Sequence, residues 1–308
     1  MCIRDRFIEL YEEPLEELIK ISSVLTGTNF GNKVEFCSLI SARTGKCSQD
    51  CKYCAQSSHY RTDIETHPLV SKEEVRKTAE DARKNGASRF AIVTSGKNPE
   101  ESDFDSILEM IGEVNAVEGL KSCASIGLLD KHEAAALKEA GLKRFHHNIN
   151  TCKSYYPSIC TTHTYKDRIR TIELVKEQGL ELCCGVILGM GESREQRIEM
   201  GMELAEISPN SIPLNFLYPI KGTPFESYID KIDEEEILKT IAIFRIMMPD
   251  ISLRYTGGRL LRLSKTGMAK GLDAGVDAVL IGNMLTTIGI SPEEDKKMLK
   301  ETGRELLV

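Results

Sequence analysis

The sequence predicts an α/β fold, a single (β/α)8 barrel of the TIM type. Three observations carry that expectation. Short apolar runs alternate with amphipathic stretches along the whole chain, and such alternation implies parallel strands joined by helical crossovers. Helix ends are repeatedly followed by glycine and then a strand, at Asn85-Gly86, Ala140-Gly141, Gln178-Gly179 and Ala274-Gly275. Glycine suits the left-handed turn that closes a helix. No linker or shift in composition breaks the series, so residues 1–308 read as one domain.

The elements follow in order. Residues 1–33 read as a helical extension with a polar connector. Strands are expected at 34–41, 89–94, 120–126, 144–150, 181–188, 211–217, 251–255 and 277–281. Between them, helices are expected, for example at 71–84, 130–140, 165–178, 194–207 and 233–247. Ser71 followed by Glu74 is a capping-box signature. Residues 291–308 read as a tail packed on the barrel. In such a barrel, chemistry sits at the C-terminal ends of the strands.

Composition narrows the function classes. The chain is 41% hydrophobic and 28% charged, with net charge −7 and no basic tract. That argues against nucleic acid and anionic membrane as partners. No apolar run approaches the roughly 20 residues of a membrane span. The charged start, Met1-Cys2-Ile3-Arg4-Asp5-Arg6, lacks the apolar core of a signal peptide, and Cys2 receives no role. Ten cysteines in a secreted chain would suggest disulfides. Here several lie in one loop or inside apolar strands, which points to a reducing cytoplasm.

The loop after the first strand holds the most specific pattern. Cys47, Cys51 and Cys54 are spaced C-x3-C-x2-C. Soft thiolates select iron–sulfur clusters, zinc or copper(I). A cluster fully held by protein takes four cysteines, and a closed zinc site also takes four ligands. No fourth ligand completes this loop at usual spacing; the nearest, His59, follows Cys54 by five residues. Three thiolates can hold three irons of a 4Fe–4S cube and leave the fourth open to a small molecule. A zinc loop with a distant fourth ligand and a set of buried free thiols are the other readings.

Strand parity supplies a second group. Side chains alternate faces along a strand. With Phe36 and Ile40 outward on the first strand, Cys37 and Leu39 point inward. Ala124 and Ile126 outward put Cys123 inward. Leu182, Val186 and Leu188 share the outer face with Cys184, which leaves Cys183, Gly185 and Ile187 inward. His146, Asn148 and Asn150 share one face, as do Pro213 and Asn215, and Arg254 comes from the seventh strand. Free cysteine is a common core filler. Three with matching parity instead suggest a second, deeper metal cluster of Cys37, Cys123 and Cys183. Cys152, Cys160 and Cys184 read as space-filling.

The C-x3-C-x2-C loop, with Tyr53 before the last cysteine, resembles the cluster motif of the radical S-adenosylmethionine (SAM) superfamily. Residues 44–60, 97–99, 147–151, 161–168, 185–192, 213–224, 241–249, 253–259 and 282–295 further resemble the biotin synthase family. The resemblance implies conversion of dethiobiotin to biotin, with sulfur inserted between two saturated carbons. It implies two SAM-derived radicals in sequence and an auxiliary iron–sulfur cluster as sulfur donor. It places SAM over the loop cluster, with Tyr53, Ser95, Asn148, Asn150, Arg168, Ile187 and Glu192 as cofactor contacts. Among these, Asn148 and Asn150 meet the ribose, Arg168 the carboxylate, and the 185–192 run the adenine. Asn148 and Asn215 are the implied ureido contacts. A reduced flavodoxin or ferredoxin is the implied electron donor, and a homodimer is expected because the family is often dimeric.

Two positions depart from the family pattern. The usual auxiliary cluster is 2Fe–2S, held by three cysteines and an arginine. Cys123, Cys183 and Arg254 match three of those ligands, but Ala91 replaces the cysteine of the second strand, and Cys37 appears on the first. Three cysteines suit a four-iron cluster carrying an extra sulfide (4Fe–5S), as family variants from anaerobes use. A 2Fe–2S cluster that retains Arg254 is the rival. The second departure is Asn150, where aspartate is usual. Two other functions share these motifs in part: a related barrel that rearranges carbon skeletons or matures a hydrogenase cofactor, and a non-catalytic iron–sulfur scaffold.

Overall fold

A computed structural model describes residues 3–282, 284–285 and 289–307. Cys2 lies outside them, as do Asn283, Thr286, Thr287 and Ile288 of the 282–295 stretch. The strands are β1 (Lys33–Arg43), β2 (Arg89–Thr94), β3 (Lys121–Ser125), β4 (Arg144–His146), β5 (Glu181–Cys183), β6 (Val186–Leu188), β7 (Ser211–Phe216), β8 (Ser252–Tyr255), β9 (Ala278–Leu280) and β10 (Glu305–Leu306). All ten pair in parallel, and β1 bonds both β2 and β9, which closes the ring. Both β5 and β6 pair with β7, as two halves of one barrel strand. The expected eight-stranded barrel is therefore present.

Parity explains the packing. Phe36, Phe90, Ile92, Phe145, Leu214 and Val279 point outward and are fully buried in the main hydrophobic core. Each such side chain contributes about 1.5–3 kcal/mol by leaving water. The expected helices form, and most begin one residue late because the first expected residue is the cap. Asp130 and Thr164 each accept from the backbone N–H three residues on and complete a capping box. Ser71 supplies its half of the box by accepting from Glu74 N. The glycines after the helices sit at positive φ, for example Gly86 at 98° and Gly141 at 87°.

Two strands differ from expectation, each for a local reason. β4 ends at His146 rather than at residue 150. Beyond it, Asn150 takes φ 67°, a left-handed conformation that asparagine tolerates. Its N–H donates to Gly185 O and its carbonyl accepts from Ile187 N, so the line of the strand resumes across the gap. The fifth strand breaks at Cys184-Gly185. A Cβ on Gly185 would lie 2.0 Å from Pro213 O, so only glycine lets β7 pass this close.

The ends of the chain brace the barrel. Helices Ile3–Glu9 and Leu15–Phe30 form the extension. Tyr11 between them is buried and pairs with Thr240 Oγ1 at 2.8 Å. At the other end, helix Pro292–Glu301 holds buried Asp295 against Arg259 at 2.7 Å. β10 then lies beside the first residues of β1.

Candidate active site

The thiol loop is held by its own backbone. Gly45 and Lys46 adopt positive φ and turn the chain out of β1. Cys47 N donates to Gln56 O at 2.9 Å, and Ser58 N to Cys47 O at 2.7 Å. Asp50 Oδ1 accepts from Thr161 N and Thr162 N at 2.9 and 3.1 Å, tying the loop to the segment after β4. Ser95 Oγ donates to Gly45 O at 2.6 Å, so Ser95 anchors the loop as well as lining its cavity.

Cys47, Cys51 and Cys54 line one cavity together with Tyr53, Ser95, Asn148, Asn150 and Arg168. Arg168 donates to Tyr156 Oη, Asn148 O and His163 Nε2 at 2.6, 3.0 and 3.1 Å. A guanidinium has five N–H groups, so two have no partner among these bonds of the described residues and can meet a ligand. Asn150 Nδ2 donates to Tyr53 Oη at 2.7 Å. Asn148 Oδ1 accepts from Gly185 N at 2.8 Å and replaces the ladder bond lost where β5 and β6 separate. Asn215 Nδ2 donates to Val186 O at 3.2 Å, and its Oδ1 accepts from Gly257 N at 3.3 Å. Glu192 lies outside both cavity walls. It is buried and accepts from Gly189 N at 2.8 Å, which braces the turn behind Ile187.

A second cavity, of about 330 Å³, runs from the loop into the barrel. Tyr53 and Cys54 line its upper part. Cys37, Cys123, Cys183 and Arg254 line it lower down, with Ile187, Asn148 and Asn215 between. Ala91 lies on the same wall, in register with Cys123. The three inward cysteines are therefore brought together, while Cys184 packs in the outer core. Burial raises the pKa of all three thiols, pushing Cys123 up to about 12 against the pull of Arg144 and Arg89. A metal must displace those protons to bind.

Beneath the cysteines lies a charged floor. Glu35 from β1 meets Arg89 at 2.9 Å, Arg144 at 3.8 Å and Arg254. Glu181 meets Arg89 at 2.9 Å and Arg144 at 2.7 Å. Among the described residues, Arg89 Nη1 and Arg254 Nη1 are buried without a hydrogen-bond partner. Unpaired buried donors are costly. Two such donors beside three soft thiols fit an electron-rich sulfide cluster. The loop thiols fit a 4Fe–4S cluster on the same grounds of donor chemistry.

Residues 42–204 match the radical SAM superfamily, and residues 213–305 match the biotin and thiamin synthesis associated domain. Curated relatives include the biotin synthase of Acetivibrio thermocellus, 46% identical over 94% of this chain and 90% of the relative. That of Clostridioides difficile is 44% identical over 94% and 88%. The chain belongs to the biotin synthase family. It is accordingly a radical SAM enzyme that uses a 4Fe–4S cluster and SAM. Among solved structures, a methylornithine synthase superposes with TM-score 0.85 at 21% identity, covering 100% of this chain and 98% of that one. The FeFe-hydrogenase maturase HydG superposes with TM-score 0.82 at 18% identity, covering 96% and 70%. These two share the fold alone. The barrel thus does not separate the enzyme types that the sequence left open, and the biotin synthase relatives do.

Two features of this family member escaped the sequence reading. One is the floor of Glu35, Arg89, Arg144 and Glu181. Its signal was available, since each stands two residues before an inward Cys37, Ala91, His146 or Cys183. The other is Cys160, whose Sγ lies 3.7 Å from that of Cys51. Nothing in local spacing points to a contact across more than a hundred residues.

Proposed function

We propose that this chain inserts sulfur into dethiobiotin to form biotin, with a separate group of thiolates for each cluster. Cys47, Cys51 and Cys54 hold the 4Fe–4S cluster, whose open iron takes SAM. Cys37, Cys123 and Cys183 hold the sulfur-donating auxiliary cluster. The observation that carries this reading is the continuous cavity, which has Cys54 and Tyr53 in its upper part and three interior cysteines lower down. When bound, the clusters supply radical generation and sulfide. The protein supplies orientation and exclusion of water.

The side chains divide that task. Asn148 and Asn215, held by backbone bonds, present their remaining amide groups to a urea. Asn150 and Tyr53 form a polar edge for a ribose. Arg168 offers its two spare N–H groups to a carboxylate, and Ile187 gives an apolar ledge for a purine. Glu192 acts from behind that ledge. A reduced flavodoxin or ferredoxin in the cytoplasm supplies the electrons. No helix among the described residues is long and apolar enough to cross a membrane.

Arg254 holds Glu35 through Nη2 and Ser211 through Nε, and its open Nη1 belongs to a protonated guanidinium, which donates to a sulfide and has no lone pair for iron. That supports an auxiliary cluster held by the three cysteines alone, of the 4Fe–5S kind. Anaerobic reconstitution tests it: about eight irons per chain are expected, against about six for a 2Fe–2S cluster that keeps Arg254. Cys37→Ala must lose the auxiliary irons and keep those of the loop. Incubation with dethiobiotin, SAM and reductant must yield biotin; SAM cleavage without biotin would overturn the assignment.

A further inference from the structure

Cys160 has no part in the chemistry above, yet it faces a proposed cluster ligand. Cys51 and Cys160 are both buried, with sulfurs 3.7 Å apart. The approach is held from both chains. Lys52 N donates to Ile159 O at 2.9 Å, and Asp50 accepts from Thr161 and Thr162. Each cysteine is thus flanked by residues bonded to the other's segment, so the sulfurs stay opposed without a cluster between them. A disulfide has an S–S distance of about 2.05 Å, so closure asks for a shift of roughly 1.7 Å.

His163 completes the group. Its Nε2 lies 3.1 Å from Arg168 Nη2, and its Nδ1 lies 3.1 Å from Cys160 Sγ and 2.9 Å from Gln49 Oε1. Arginine only donates, so Nε2 accepts and Nδ1 carries the proton. A protonated Nδ1 cannot ligate a metal. The donor atoms of Cys51, Cys160 and His163 lie within 4.8 Å of one another, but this tautomer turns the group away from a metal site and toward thiol chemistry.

We propose that Cys51 and Cys160 form a reversible disulfide when the loop cluster is absent, and that the bond blocks cluster loading by occupying one ligand. The oxidant is a low-molecular-weight disulfide. The two thiols lose two electrons and two protons, one S–S bond forms between them, and the oxidant is reduced to two thiols. A dithiol reverses the exchange. With the cluster in place, iron holds Cys51 and the reaction is suppressed. The bond also spares both sulfurs from irreversible oxidation. This inference rests on the reading of Cys51 as a cluster ligand.

The test uses full-length chain stripped of iron by a chelator under anaerobic conditions. It is treated with glutathione disulfide, alkylated, digested and analysed by mass spectrometry. A linked pair of peptides containing Cys51 and Cys160 is expected. Oxidised protein should then fail to bind SAM in calorimetry after iron and sulfide are added, and should recover fully with dithiothreitol. Cys160→Ser should give neither the link nor the block, and should load and bind SAM like untreated wild type. A dominant link between other cysteines, or undiminished loading of oxidised wild type, would overturn the proposal. So would one-to-one zinc binding by stripped protein that requires both Cys160 and His163. Separately, Cys51→Ala that still gains a full loop cluster would refute the ligand reading without bearing on the peptide link.

Discussion

Replacing Glu35 by glutamine tests the charged floor most directly. Glu35 is the carboxylate shared by Arg89, Arg144 and Arg254. In Glu35→Gln, Arg89 and Arg144 retain Glu181, whereas Arg254 loses its carboxylate and keeps Ser211 Oγ at 3.3 Å and the Cys37 thiol. The cost therefore concentrates on Arg254, whose side chain is 3% exposed. Burial pushes the Glu35 pKa up, but Arg254, Arg89 and Arg144 together pull it from 4.5 down to about 2. A shift of that size corresponds to ~3 kcal/mol at about 1.4 kcal/mol per unit. Breaking a buried pair by removing one partner costs ~3–5 kcal/mol, which agrees. The folded pKa is depressed, so this stability is present above pH 4.5 and is lost as pH falls toward 2. Anaerobic urea unfolding of the cluster-free chain at pH 7 should show the variant weaker by ~3 kcal/mol. Wild type should also weaken between those two pH values by more than the variant does. A loss under ~1 kcal/mol, the range of a surface pair, would refute the reasoning.

Three further outcomes are expected. Gly185→Ala places a Cβ 2.0 Å from Pro213 O and should destabilise the chain by about 3 kcal/mol in urea unfolding; a loss under ~1 kcal/mol would mean that β7 yields freely. Asn150→Asp keeps a side chain suited to positive φ and offers the ribose hydroxyls a charged acceptor in place of an amide, so SAM should bind about fivefold tighter by calorimetry; equal or weaker binding counts against Asn150 as a ribose contact. Burial, then Arg254 and Arg168, lowers the pKa of His146 to about 4. The unfolded chain then takes up this proton first, so His146 should weaken the fold as pH drops from about 6.5 toward 4. His146→Asn should flatten that part of the urea-midpoint profile, and an unchanged profile would place the ring in contact with water.

Period-two patterning made the barrel readable, because outward positions such as Phe36, Phe90 and Phe145 must meet helices. The same parity pointed Cys37, Cys123 and Cys183 inward, and the structure gathers them around one cavity. Strand ends were less readable. Asn150 leaves the extended region, and Gly185 yields to β7, for tertiary reasons that no run of residues announces. The floor was readable in principle from Glu35, Arg89 and Glu181, but charged residues inside strands make sense only once the partners converge. Cys160 was not readable at all, since its contact with Cys51 depends on how two loops cross.

The bonds that Asn148 and Asn215 make to main chain have a consequence for molecular selectivity. Side chains fastened to the barrel frame cannot swing to follow a differently shaped guest. In the proposed ureido role they would act as a fixed gauge: a ring of the right width would meet both amides with little entropy left to lose, and a wider or narrower one only one of them. Broadening the range of rings accepted would thus call for rebuilding the junction at Gly185 and Gly257, with changes to the amides alone falling short.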